Sequence, residues 1–251
     1  MPILELILLI LIFFITSAIG VVTGSNSLIT VPAMFQFGID PRVAVATNMF
    51  GLTFFSIGGT LPFLQQGVFD KRRLPLLIVL TLAGSALGAL LVGLVSSQTM
   101  PIIVSVSMIF VVVFTLVKPS AGVEKQENIS RFAITATYVL TFFLGIYGGL
   151  YSGGYVTMLT AIYVAMFGMT FTDAVANTKI INVFSSLIAT IVFAWQGLID
   201  YRLGIILAVT MFVAAYIGAK VVTCINDLWL KRIFLTTVLI LAIKTIFDFT
   251  F

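Results

Sequence analysis

The sequence predicts an all-α, polytopic membrane protein built from two homologous repeats, with eight full transmembrane helices and two short half-helices. Three observations carry that prediction. Hydrophobic residues make up 61% of the 251 and charged residues 9%, with a mean hydropathy of +1.22; soluble domains carry about 25% charged residues. Apolar runs of about 20 residues, the length that spans a bilayer, recur from end to end. The chain also matches itself at a fixed offset of 130 residues, the distance from Ala44 to Ala174. That offset pairs Gly24 with Gly154, Thr30 with Thr160, Phe37-Gly38 with Phe167-Gly168, Gln66-Gly67 with Gln196-Gly197 and Asp70 with Asp200, without a gap. A register held this long marks a duplicated unit.

The elements follow in order. Ile3 to Val22 reads as the first span and ends at Thr23-Gly24-Ser25-Asn26-Ser27, residues that form helix poorly and compete for backbone hydrogen bonds. Leu28 to Phe37 is apolar but rises only about 15 Å, half the hydrocarbon core, so it is a half-helix that Ser27 or Thr30 could cap. After the Gly38-Ile39-Asp40-Pro41 turn come spans at Val43 to Phe63, Leu74 to Val95 and Ile102 to Val117. The second half repeats this order. Phe132 to Gly145 enters a break running from Gly148 to Gly154, a half-helix follows near Val156 to Phe167, and spans follow at Phe171 to Trp195, Leu203 to Cys224 and Leu228 to Phe247. Residues 1–119 thus form one repeat, 120–130 a polar linker and 131–251 the second repeat. If the short segments cross, the repeats are inverted; if they are re-entrant, the repeats are parallel.

Composition also narrows function. The net charge of +4 resides in short loops, as topology requires of membrane proteins, and not in a stripe suited to nucleic acid. There is no His, and Cys224 is alone, so neither a metal centre nor an internal disulfide is indicated and no cofactor is called for. The first apolar run follows Glu5 with no basic residue ahead of it, which favours a retained helix over a cleaved signal peptide.

Irregular backbone at membrane depth is tolerated where protein buries it or a watery cavity meets it. The two breaks are therefore the candidate binding site: Gly24, Ser25, Asn26 and Ser27 in one half, Ser152, Gly153 and Gly154 in the other. Half-helix N-termini favour an anion there. On the spans that follow, Thr47 and Asn48 in one half and Asn177, Thr178, Lys179 and Asn182 in the other are costly in lipid and should face the interior. Lys179 is the sharpest case. A mid-helix charge costs at least about 2.5 kcal/mol, its repeat partner is Met49, and it either meets an anion or snorkels to an interface. Aspartates fall at helix ends, which leaves no mid-span acid to relay protons. Lys179 and Ser186 share a helix face at the spacing of a Ser-Lys hydrolase, but about 10 Å of rise separates them; a non-enzyme is expected.

At these residues the chain resembles the TauE/SafE family of membrane transporters, the sulfite exporters. Gly24, Leu28-Ile29-Thr30-Val31-Pro32, Ala46-Thr47-Asn48 and Gln66-Gly67 with Asp70 look like the family's first repeat. Gly145, Gly148-Gly149, Ala176-Asn177-Thr178-Lys179 with Asn182, and Gly197 look like its second. Two departures stand out: Ser25-Asn26-Ser27 occupies a break that is glycine-rich in the family, and Tyr155 and Val156 stand where further glycines often do. The resemblance implies a carrier exporting sulfite, a sulfonate or a related organosulfur anion, embedded as a multi-pass protein in a prokaryotic inner or plasma membrane. Its partners are then the small anionic substrate and the lipid bilayer, with homo-oligomerisation left open. A passive anion channel is the alternative.

Overall fold

Apolar composition makes each long segment a helix, and small residues set how closely the helices approach. The structure, a computed structural model, describes residues 2–107 apart from 25, 65 and 66, residues 129–226, and residues 228, 229, 232, 233 and 236. Within them, six helices are long and apolar enough to cross a membrane: α1 (Ile3–Thr23), α3 (Pro41–Thr60, extended by a 3-10 turn at Leu61–Phe63), α4 (Leu74–Leu94), α5 (Arg131–Leu150), α7 (Phe171–Trp195) and α8 (Tyr201–Val222). Two short apolar helices, α2 (Ser27–Gln36) and α6 (Tyr155–Phe167), follow α1 and α5. The spans expected at Ile102 to Val117 and Leu228 to Phe247 lie mostly outside the described residues, as do Lys118, Glu124, Lys125, Glu127, Lys231 and Lys244.

Local chemistry starts and stops these helices. Side-chain caps satisfy the first free amides: Asp40 accepts from Arg42 N at 3.0 Å and Val43 N at 3.2 Å, Ser130 from Ala133 N, Thr170 from Asp173 N and Asp200 from Leu203 N. Asn26, and not Ser27 or Thr30, caps α2, its Oδ1 accepting from Ser27 N at 2.9 Å. The second break is also shorter than expected, since α5 runs on through Gly148 and Gly149 to Leu150. Those two glycines serve packing, for a Cβ on Gly149 would lie 2.1 Å from the Ser85 carbonyl oxygen. Among the described residues the six glycines with positive φ fall into pairs 130 residues apart: Gly24 and Gly154, Gly38 and Gly168, Gly67 and Gly197.

Small residues bring helices into close contact at several places, and two of these pairs show the chain directions. Gly84 and Gly88 of α4 lie against the backbone of Phe142 to Leu150 on α5, and Gly218 of α8 lies against Ala18 of α1. Both pairs run parallel. By contrast α3 and α7 cross the centre antiparallel, joined by Asn182 Nδ2 donating to Ser56 Oγ at 2.6 Å and a Thr53–Thr190 hydroxyl contact at 3.3 Å. The short helix α6 folds back along α5: Tyr155 covers Gly148, Thr141 meets the Tyr163 hydroxyl at 3.2 Å, and the Tyr138 and Phe167 rings lie 5.8 Å apart. It thereby returns to the end of the bundle where α5 begins. In the same way α2 returns to the end where α1 begins, placing Phe37 and Gly38 beside Leu6.

Candidate functional site

The turn after α1 and the turn after α5 meet in the protein interior. Ser152 Oγ donates to Ser27 Oγ at 2.9 Å, the Tyr151 hydroxyl donates to the Ser27 carbonyl at 3.0 Å, and Thr157 donates to the Thr23 carbonyl. A left-handed Gly24 (φ 68°) makes the junction possible, because a Cβ there would stand 2.6 Å from Val156. Gly153 is clasped in turn: the Tyr147 hydroxyl donates to its carbonyl, and the Tyr151 ring covers its α-carbon.

The flanking long helices supply the second ring of polar groups. Asn48 of α3 donates through Nδ2 to Ser27 Oγ at 3.0 Å and accepts from Thr30 Oγ1 at 2.9 Å. Thr178 of α7, 130 residues on, meets Thr160 of α6 at 3.3 Å. Lys179 is fully buried, so snorkelling is ruled out. Its Nζ donates to the Gly20 carbonyl at 3.3 Å and lies 4.5 Å from the centre of the Phe55 ring. Among the described residues the one ion pair joins Arg73 to Asp70 at 3.2 Å, and no carboxylate faces Lys179. Asn26 is 4% exposed and packs against Gly20; its Nδ2 has no hydrogen-bond partner among the described residues. A buried amine and a buried amide with donors to spare both call for an electron-rich partner.

Not every expected residue joins this cluster. Asn177 and Thr47 each hold a loop at one end of the bundle. Asn177 Oδ1 accepts from Asp70 N at 3.0 Å while its Nδ2 donates to the Val68 carbonyl at 3.2 Å and the Asp173 carbonyl at 2.7 Å. Thr47 Oγ1 accepts from Asp200 N at 3.0 Å. Asn182 binds Ser56 at the α3–α7 crossing. Ser25 lies outside the described residues. The Ser-Lys pair does not form, since the Ser186 hydroxyl donates to the Asn182 carbonyl and Lys179 to Gly20. Sequence reasoning missed Thr30, Ser56 and Tyr151 as partners. Thr30 could have been found from its match to Thr160 at the repeat offset; Tyr151 carried no signal.

Two cavities lie towards opposite ends of the bundle, on either side of the junction. One of ≈ 760 Å³ is lined by the Gly67–Arg73 loop with Tyr138, Phe167, Asp173 and Asn177. Arg73 is held there over the Phe167 ring at 4.6 Å. Another of ≈ 470 Å³ lies at the opposite end, lined by Leu6, Phe37, Gly38, Asp200 and Arg202. Between the breaks, the hydroxyls of Ser27 and Ser152 are in direct hydrogen-bond contact.

A polytopic helical bundle whose two interrupted helices meet around buried polar groups defines a membrane transporter, embedded in lipid and acting on a small solute. The chain belongs to the sulfite exporter TauE/SafE family, whose model matches residues 9–245. Similar proteins bear transporter names. "Probable membrane transporter protein ORF9" of Sinorhizobium sp is 28% identical over 237 residues, covering 94% of this chain and 90% of that protein. The probable membrane transporter protein of Haemophilus influenzae is 24% identical over 94% of this chain and 92% of its own length. For YfcA of Escherichia coli K12, also named a probable membrane transporter protein, the figures are 24%, 96% and 91%. No solved structure gives a significant match.

Proposed function

We propose that the protein exports a small anion, with sulfite, a sulfonate or a related organosulfur anion as the substrate class, by alternating access at the junction of the two breaks. The observation that carries this reading is Lys179, a fully buried amine with no carboxylate partner among the described residues, which reaches the α1 carbonyl just before the first break. The resemblance in sequence supplies the organosulfur chemistry. An inside-negative potential drives a singly charged anion outward by about 2.3 kcal/mol per 100 mV, so export requires no coupled proton.

The architecture behind this reading is a pair of inverted repeats, residues 1–119 and 131–251 joined by a 120–130 linker, with eight full crossings. The paired positive-φ glycines and the antiparallel course of α3 and α7, which occupy matching places at the 130-residue offset, support it. We place the Asp70–Arg73 end in the cytoplasm of a cell-membrane protein. Lys71, Arg72, Arg73, Arg131 and Lys220 gather there, against Arg42 and Arg202 at the other end. The hydrogen-bonded closure between the two end cavities suits a carrier better than a passive pore, which needs a continuous path.

Transport of labelled sulfite and methanesulfonate in proteoliposomes tests the reading. Wild-type protein should move at least one of them at carrier rates, with no single-channel currents in planar bilayers. Lys179→Met should lower transport at least about tenfold, the effect of losing a buried charge interaction worth about 1.4 kcal/mol or more; full transport by that variant removes the lysine from the mechanism.

A further inference from the structure

We infer that the junction is matched to a solute carrying one negative charge, so that a sulfonate-type monoanion is accepted and a dianion such as sulfate is refused. This rests on the anion-carrier reading above. Each break joins the C-terminal end of one helix to the N-terminal end of the next, α1 to α2 and α5 to α6. A helix contributes about half a positive charge at its start and about half a negative charge at its end. At both breaks the two ends lie within a few residues, so the backbone there offers directed N–H and C=O groups and almost no net charge. The positive half-helix ends considered alone would suggest a dianion; the α1 and α5 ends offset them.

What remains is Lys179. It is the one fully buried charged side chain among the described residues, and one of its three N–H groups goes to Gly20. The other groups around it are neutral. The unpartnered Asn26 amide lies against the same Gly20, and the hydroxyls of Ser27 and Ser152 form the contact between breaks. Neutral donors orient an oxyanion without adding charge. A monoanion beside the protonated amine therefore leaves the occupied site neutral, whereas a dianion leaves one negative charge unpaired in a low-dielectric interior.

The repeat supplies the test. Met49, 130 residues before Lys179, is buried on α3 beside Asn48, so Met49→Lys adds a second positive charge at the matching place. Purified full-length wild type, Lys179→Met and Met49→Lys would be compared in proteoliposomes with labelled methanesulfonate and labelled sulfate. Thermal unfolding in detergent with each anion gives a readout independent of turnover. Wild type should carry methanesulfonate at least about tenfold faster than sulfate and be stabilised by methanesulfonate alone. Lys179→Met should lose both responses, and Met49→Lys should move the preference towards sulfate. If Met49→Lys does not fold, the wild-type ratio and Lys179→Met decide. Equal or faster transport of sulfate by wild type overturns the inference and leaves the carrier reading standing. If wild type neither moves nor is stabilised by either anion, the small-anion reading falls and this inference with it.

Discussion

At the residue scale, Asn48 shows how one side chain joins three elements. It sits on α3, accepts from Thr30 of α2 and donates to Ser27, whose hydroxyl also receives Ser152 from the other half. Removing it takes one hydrogen bond from each of two buried hydroxyls, Thr30 keeping its bond to the Asn26 carbonyl and Ser27 its bond from Ser152, at about 0.5–1.5 kcal/mol for each bond lost. Asn48→Ala should therefore lower the thermal midpoint of unfolding in detergent by several degrees and weaken stabilisation by any anion that stabilises wild type. An unchanged midpoint would mean that water or a repacked neighbour replaces the amide. Its counterpart Thr178 reaches Thr160 alone at this junction, so Thr178→Val should cost less. Residue identity at the site was partly legible in the sequence, because Asn48, Thr178 and Lys179 are polar groups in apolar runs. Their partners were not: Tyr151 is 124 residues from Ser27, and nothing local marks that contact.

At the scale of elements, the two ends of the bundle are fastened by matching clasps of unequal strength. Asn177 holds the loop after α3 with two bonds, to Asp70 N and the Val68 carbonyl, while Thr47 holds the start of α8 with one, to Asp200 N. These loops line the two cavities, so loosening a clasp should open its own end. In a Cys224→Ser background, Met169→Cys and Ile39→Cys report on the two ends, since Met169 lines the larger cavity and Ile39 borders the smaller. Asn177→Ala should raise thiol labelling of Met169→Cys and leave Ile39→Cys unchanged; Thr47→Val should do the reverse. Equal effects of either variant at both ends would show that the clasps do not act separately. Sequence alone assigned Thr47 and Asn177 to the binding site because a polar residue inside an apolar helix signals burial. It does not signal which neighbour satisfies the residue, and here that neighbour is the loop of the opposite half.

At the scale of the whole molecule, the proposed orientation makes a prediction by labelling from either side. With Cys224 replaced, Lys71→Cys should react with a membrane-impermeant thiol reagent only from the cytoplasmic side, and Arg202→Cys only from the outside. Labelling of both from one side would exclude the antiparallel arrangement of α3 and α7, whose far ends these residues mark. Composition by itself determined that this chain lives in lipid, because so few charges over so many apolar residues leave no soluble alternative. Small residues likewise marked where the helices break, apart from Gly148 and Gly149, which α5 runs through, since glycine and small polar residues interrupt helices through local backbone energetics. Only tertiary structure decided that the breaks touch, that the short helices return to the end where their predecessors start, and that Lys179 is sealed inside. Those outcomes depend on which helix faces pack together across more than a hundred residues, and local sequence carries no direct record of such contacts.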